Sequence, residues 1–212
     1  KRRGFFSINA IWKNKIAVLV GDFLLSKGML LCIDNKDYDI LDVISESVKQ
    51  MSEGELLQIE KAKKLDIDEE TYFEIIKKKT ASLISSCCKI AAVSVNSSSS
   101  EIKRISKIGM HIGIAFQIKD DLFDYGKKTI GKPRGIDIKQ KKITLPLIYA
   151  LNNINKSEKR WLIKSLKKNK KSRALINQII SLVKERGGLD YAIQIMNKYH
   201  RLSLDDLETF KD

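Results

Sequence analysis

Three observations predict an all-α protein. Apolar residues recur at the three- and four-residue spacing of a helix face and not in alternation. Only two prolines, Pro133 and Pro146, occur in 212 residues, so the long apolar stretches run free of helix breakers. The polar breaks between those stretches are built from Asp, Asn, Ser and Gly, which start or stop helices. At 24.2 kDa the chain is long enough to bury one sizeable core, and residues 1–212 read as a single domain.

From Ile11 to Cys32 apolar residues dominate, with Gly21 and Gly28 interspersed, the pattern of a buried helix with close neighbours. The stretch is apolar on all sides as far as Leu31, so another part of the chain or a second subunit must cover it. Asp34, Asn35 and Asp37 make a turn. A second helix is expected from Asp39 to about Lys64, with Glu53, Glu55 and Gln58 near its middle. Asp66 and Asp68 open a third, Glu69 and Glu70 suit its first turn, and it continues to about Val95. Ser97 to Ser100 form a short polar connection in which Ser100 can cap a fourth helix, from about Glu101 to Tyr125. Within it Gly109 and Gly113, four residues apart, let a neighbouring helix approach closely. Gly126 to Gln140 is rich in Gly and Lys and reads as a long loop, a length that hints at function. Three or four further helices are expected from Lys142 onward, broken near Asn155, Asn169 and Gly187-Gly188.

The net charge of +14 invites a nucleic acid or an anionic membrane as partner. Much of the excess is lysine between Lys156 and Arg173, which reads as a solvated basic helix face, so no nucleic-acid partner and at most transient membrane contact are expected. No uninterrupted apolar run reaches the roughly twenty residues of a membrane span. Cys32, Cys87 and Cys88 lack metal-ligand spacing and read as thiols of a reducing compartment, the cytoplasm.

The chemistry concentrates at the end of the fourth helix, in Phe116-Gln117-Ile118-Lys119-Asp120-Asp121-Leu122-Phe123-Asp124. Helical spacing puts Gln117, Asp120, Asp121 and Asp124 on one face. Three carboxylates at the negative end of a helix dipole repel one another and call for a cation. Oxygen ligands without His or Cys favour magnesium, which bridges carboxylates to substrate phosphates. Lysines elsewhere fit a phosphate partner: Lys79, beside Thr80, then Lys132 and Lys142, with Arg2 and Arg3 at the start. His111 and His200 stand alone, and no Ser-His-Asp or Cys-His arrangement is evident.

Together these motifs resemble the polyprenyl synthetase family, the trans-isoprenyl diphosphate synthases. The resemblance rests on Arg2-Arg3-Gly4, Gly21-Asp22-Phe23-Leu24-Leu25, Gly54-Glu55-Leu56-Leu57-Gln58, Lys79-Thr80, Phe116-Gln117 with Asp120-Asp121-x-x-Asp124, and Gly131-Lys132 through Thr144-Leu145-Pro146. It implies an orthogonal helical bundle around a central prenyl-binding cavity, the type I isoprenoid synthase fold. It also implies condensation of isopentenyl diphosphate with an allylic diphosphate, magnesium as cofactor and a homodimer formed through helices near the start of these residues. By the same resemblance Asp120, Asp121 and Asp124 hold magnesium. Arg2, Lys79, Lys132 and Lys142 bind the allylic diphosphate and Arg3 the isopentenyl diphosphate, while Thr80 and Gln117 lie beside the carbocation.

Family members carry a first aspartate-rich motif just before the Arg-Arg-Gly, which these residues lack. The chain is therefore expected to begin inside a larger protein and to be inactive alone; prenyl transfer by a polypeptide starting at Lys1 would overturn that. The rival expectation is a non-catalytic partner subunit of a heteromeric synthase.

Overall fold

The computed structural model describes residue 6 and residues 8–64, 68–126 and 134–210, with the side chains of residues 8–10, 63 and 64 excepted. All regular structure among them is helical: α1 Ile8–Asp34, α2 Tyr38–Lys64, α3 Glu69–Ile76, α4 Ser82–Ser94, α5 Ser99–Phe123, α6 Ile136–Lys139, α7 Leu145–Asn152, α8 Lys156–Lys167, α9 Arg173–Glu185 and α10 Gly188–Glu208. The expected all-α class holds. The expected third helix is divided into α3 and α4 by a π-helical turn, Lys77–Ala81.

The helix ends follow the polar breaks. Asp68 caps α3, its carboxylate accepting the Thr71 N–H at 2.8 Å. Asn155 and Glu158 form a reciprocal capping box on α8. The start of α5 corrects the sequence reading: Ser98, not Ser100, is the N-cap, because Glu101 at the third helical position closes a capping box with it. The stretch expected as one loop, Gly126 to Gln140, contains the short helix α6, capped by Gly135 at φ 77°.

α5 is the central element, packed against α4 on one side and α10 on the other, with α10 also covering α7 and α9. Ile114 and Ile118 of α5, Leu145, Leu147 and Ile148 of α7, Leu162 of α8 and Ile179 of α9 are essentially sealed from solvent and form one core with Tyr72 and Ile76 of α3. The close approaches demanded by glycine are real. A Cβ on Gly109 would sit 2.8 Å from Ser85 Cα, and one on Gly113 would sit 2.5 Å from Ala81 Cα. His111, in the α5–α10 contact, lies with Nδ1 3.1 Å from Asp206 Oδ2.

α1 departs from expectation. It is predominantly exposed, with Phe23 65% and Leu24 62% accessible, and a side chain at Gly21 or Gly28 would meet nothing within 4 Å. Although no uninterrupted apolar run of span length is present, α1 passes the looser test of length and mean composition for crossing a membrane. From Ile11 to Asp34 the helix is long and apolar enough by length and composition to cross one, because Asp22 and Lys27 dilute rather than interrupt its apolar character.

Candidate active site

The site begins with the π-helical turn. Its backbone is wedged between two glycines: a Cβ on Gly54 of α2 would lie 2.8 Å from Lys79 N, and Gly113 of α5 faces Ala81. The wider turn shifts the hydrogen-bond register, so the Ser82 N–H bonds the Lys77 carbonyl and the Ser82 hydroxyl donates to the Lys78 carbonyl at 2.5 Å. The consequence is an orientation of Lys79 and Thr80 that an uninterrupted α-helix would not give. Thr80 turns to α5, its hydroxyl donating to Gln117 Oε1 at 2.8 Å. Lys79 turns to α2, where its ammonium pairs with Glu55 and donates to Gln58 Oε1 at 3.0 Å.

Gln117 passes the network on, its Nε2 donating to Asp121 Oδ1 at 2.9 Å one helical turn later. Asp121 is fully buried. Lys142 Nζ donates to the same oxygen at 2.8 Å, and the Tyr72 hydroxyl donates to Oδ2 at 3.0 Å. Burial opposes charge on Lys142, but the Asp121, Asp137 and Asp120 carboxylates outweigh it and raise the ammonium pKa above its ordinary value, so the lysine stays charged. Burial, reinforced by Asp121, pushes the Tyr72 phenol well above its ordinary pKa and keeps it a donor. Lys79, Thr80, Gln117 and Lys142 all line one cavity, together with Gln58, Tyr72, Ile75, Ile76 and Ile143.

Polar groups thus edge an apolar floor made by α3. Such a lining sets cationic and hydrogen-bonding groups beside apolar side chains, the chemistry that meets an anionic group carried on a hydrocarbon.

The three carboxylates expected to hold magnesium, Asp120, Asp121 and Asp124, sit in different surroundings. No group of three His, Cys, Asp or Glu side chains among the described residues is placed to hold a metal ion. Asp121 has both oxygens committed to protein donors. Asp124 is 6% exposed, and burial raises its pKa against the opposing pull of backbone N–H groups of residues 135 to 138, at the start of α6. Its Oδ2 is buried with no hydrogen-bond partner among the described residues. Asp120 is the half-buried member of the three, close enough to Lys142 to raise its pKa. Carboxylates are oxygen ligands that fit magnesium, which keeps waters and takes further ligands from phosphate oxygens. Arg2, Arg3 and Lys132 lie outside the described residues.

Tyr72 escaped the sequence reading, and Glu55 and Gln58 were assigned no role. The signal for Tyr72 was there: Tyr72, Ile75, Ile76 and Lys79 follow the spacing of one helix face, so a phenol on the face that carries the lysine points at the same space.

The sequence profile described as Polyprenyl synthetase matches residues 1–183. The chain is 32% identical over 217 aligned positions to a short chain isoprenyl diphosphate synthase of Methanothermobacter thermautotrophicus, covering 100% of this chain and 66% of that protein. It is 31% identical to the octaprenyl diphosphate synthase of Escherichia coli K12, over 91% of this chain and 60% of the relative. It therefore spans 60 to 66% of the length of these two curated relatives. Among solved structures it resembles a polyprenyl synthase from Caulobacter crescentus CB15, complexed with calcium and isoprenyl diphosphate. There the TM-score is 0.91 at 28% identity, over 99% of this chain and 65% of that one.

Proposed function

The chain belongs to the polyprenyl synthetase family, and from that premise we propose that it serves a trans-prenyltransferase joining isopentenyl diphosphate to an allylic diphosphate. The observation that carries this reading is the convergence of Lys79, Thr80, Gln117 and Lys142 on one cavity with an apolar floor.

In the proposed reaction the allylic carbon–oxygen bond breaks, and the diphosphate leaves with the electron pair. The ammonium groups of Lys142 and Lys79 stabilise the charge that develops on it. Lys79 reaches it by exchanging its pairing with Glu55 and Gln58 for phosphate oxygens. Gln117 Oε1 and the Thr80 hydroxyl oxygen face the allylic cation with their negative dipole ends and give it nothing nucleophilic to react with. The double bond of isopentenyl diphosphate then forms the new carbon–carbon bond, and a proton leaves to the departed diphosphate. No protein nucleophile is needed. Asp120, Asp121 and Asp124 are the carboxylates the family resemblance implies for magnesium, Asp120 most directly because both Asp121 oxygens accept protein hydrogen bonds; when bound, the ion supplies Lewis-acid stabilisation of the leaving diphosphate. Arg2 and Lys132 on the allylic diphosphate, and Arg3 on the isopentenyl diphosphate, belong to the same proposal.

We assign the exposed apolar surface of α1 to a homodimer contact. The free thiols of Cys32, Cys87 and Cys88 support the cytoplasm as the compartment.

The test is prenyl transfer by the full-length gene product, given isopentenyl diphosphate with each allylic diphosphate in turn, with and without magnesium. Magnesium-dependent elongation is expected. An Asp120→Asn variant should need more magnesium for half-maximal rate. No turnover by the intact, folded protein would replace this reading with that of a non-catalytic partner subunit.

A further inference from the structure

The acidic node of the site is completed by a residue outside every motif singled out in the sequence. Tyr72 is 2% exposed, and its hydroxyl reaches Asp121 Oδ2 from 49 residues away in the chain, at 3.0 Å. Among the described residues it is the donor to that oxygen. The other oxygen is shared by Gln117 at 2.9 Å and Lys142 at 2.8 Å. A carboxylate held at both oxygens cannot turn about its χ2 axis without breaking a hydrogen bond, so Oδ1 stays aimed at the ammonium. Lys142 also has an alternative within reach: Asp137 Oδ2 lies 3.8 Å from its Nζ, too long for a hydrogen bond but close enough to attract it. Without the tyrosine the Asp121 carboxylate is left with a buried, unpaired oxygen, and turning that oxygen toward a donor draws Lys142 away from the cavity.

We propose that Tyr72 is a positioning residue that acts through Asp121 to hold the Lys142 ammonium toward the substrate diphosphate. This rests on the reading of the cavity as a diphosphate site. Lys142 keeps two further N–H groups beyond the one given to Asp121, and its side chain is 22% exposed. Those are the donors that the node directs to phosphate oxygens.

The experiment is calorimetric titration of the full-length protein with inorganic pyrophosphate and magnesium, on wild type, Tyr72→Phe, Lys142→Met and the double variant, with folding checked by circular dichroism. Tyr72→Phe is expected to weaken binding by about tenfold, the value of one hydrogen bond to a charged group. The double variant is expected to bind no more weakly than Lys142→Met alone, because both changes act on one lysine. The magnesium midpoint is expected to stay where wild type has it, since the tyrosine does not act on Asp120. Tyr72→4-aminophenylalanine, which retains a donor, is expected to restore most of the loss. Wild-type affinity in Tyr72→Phe, losses that multiply in the double variant, or a Tyr72→Phe protein that does not fold would each overturn the proposal while leaving the diphosphate site standing. Wild type that binds no pyrophosphate would overturn the reading of the site as well.

Discussion

Asp120, Asp121 and Asp124 lie within five consecutive residues and end in three environments. Asp121 becomes the buried node of a hydrogen-bond network, Asp124 is buried with its Oδ2 unpartnered, and Asp120 remains half-buried. Helical spacing showed that they share a face but could not show which donors the fold would bring to each. A second, half-buried contact makes a prediction at this scale. Tyr191 of α10 donates to Glu69 Oε1 at 2.6 Å, and burial first, then that bond, pushes its phenol pKa up to about 12. An unfolded tyrosine titrates near about 10. The folded state therefore holds the proton more tightly, so this contribution to stability is fully present below about pH 10 and is lost as pH rises toward about 12. Urea denaturation across that range should show a steeper loss of stability in wild type than in Tyr191→Phe.

Among the elements, the π-helical turn Lys77–Ala81 has the largest consequence for function, since it sends Lys79 to α2 and Thr80 to α5. Its place is set by the two glycines that admit its backbone, Gly54 and Gly113. In an ordinary helix interior Gly→Ala gains about 1 kcal/mol. At Gly113 the new Cβ would meet Ala81 Cα at 2.5 Å and Ala81 Cβ at 2.7 Å, contacts with backbone and a methyl group that have no rotamer to yield. Gly113→Ala is therefore expected to destabilise, by about 1–3 kcal/mol, the usual range for overpacking. An unchanged or raised denaturation midpoint would show that the turn yields. The helix boundaries were largely legible because Asp68, Asn155 and Gly187 are capping residues whose chemistry acts locally. The π turn was not legible, because Lys77 to Ala81 carry no local signal against an α-helix; it depends on the opposing glycines of α2 and α5.

For the whole molecule, the unresolved demand is the apolar surface of α1. Phe23, Leu24, Val18 and Leu19 are each more than half exposed, a surface larger than scattered single apolar residues explain. With the homodimer proposed above, light scattering of the full-length protein at micromolar concentration should give the mass of two chains, and Leu24→Glu should shift it toward one; a wild-type monomer would count against the contact. The sequence by itself determined the helical class, the approximate run of the longer helices and, through its family resemblance, four of the six polar groups that line the cavity. The first two follow from periodicity and capping chemistry, the third from motifs matched in order along the chain. Only the tertiary structure decided that Tyr72 meets Asp121, that Asp124 is buried with one carboxylate oxygen unpartnered, and that α1 stands largely uncovered among the described residues. Each of these depends on which surfaces meet across dozens of residues, and no local pattern encodes such a meeting.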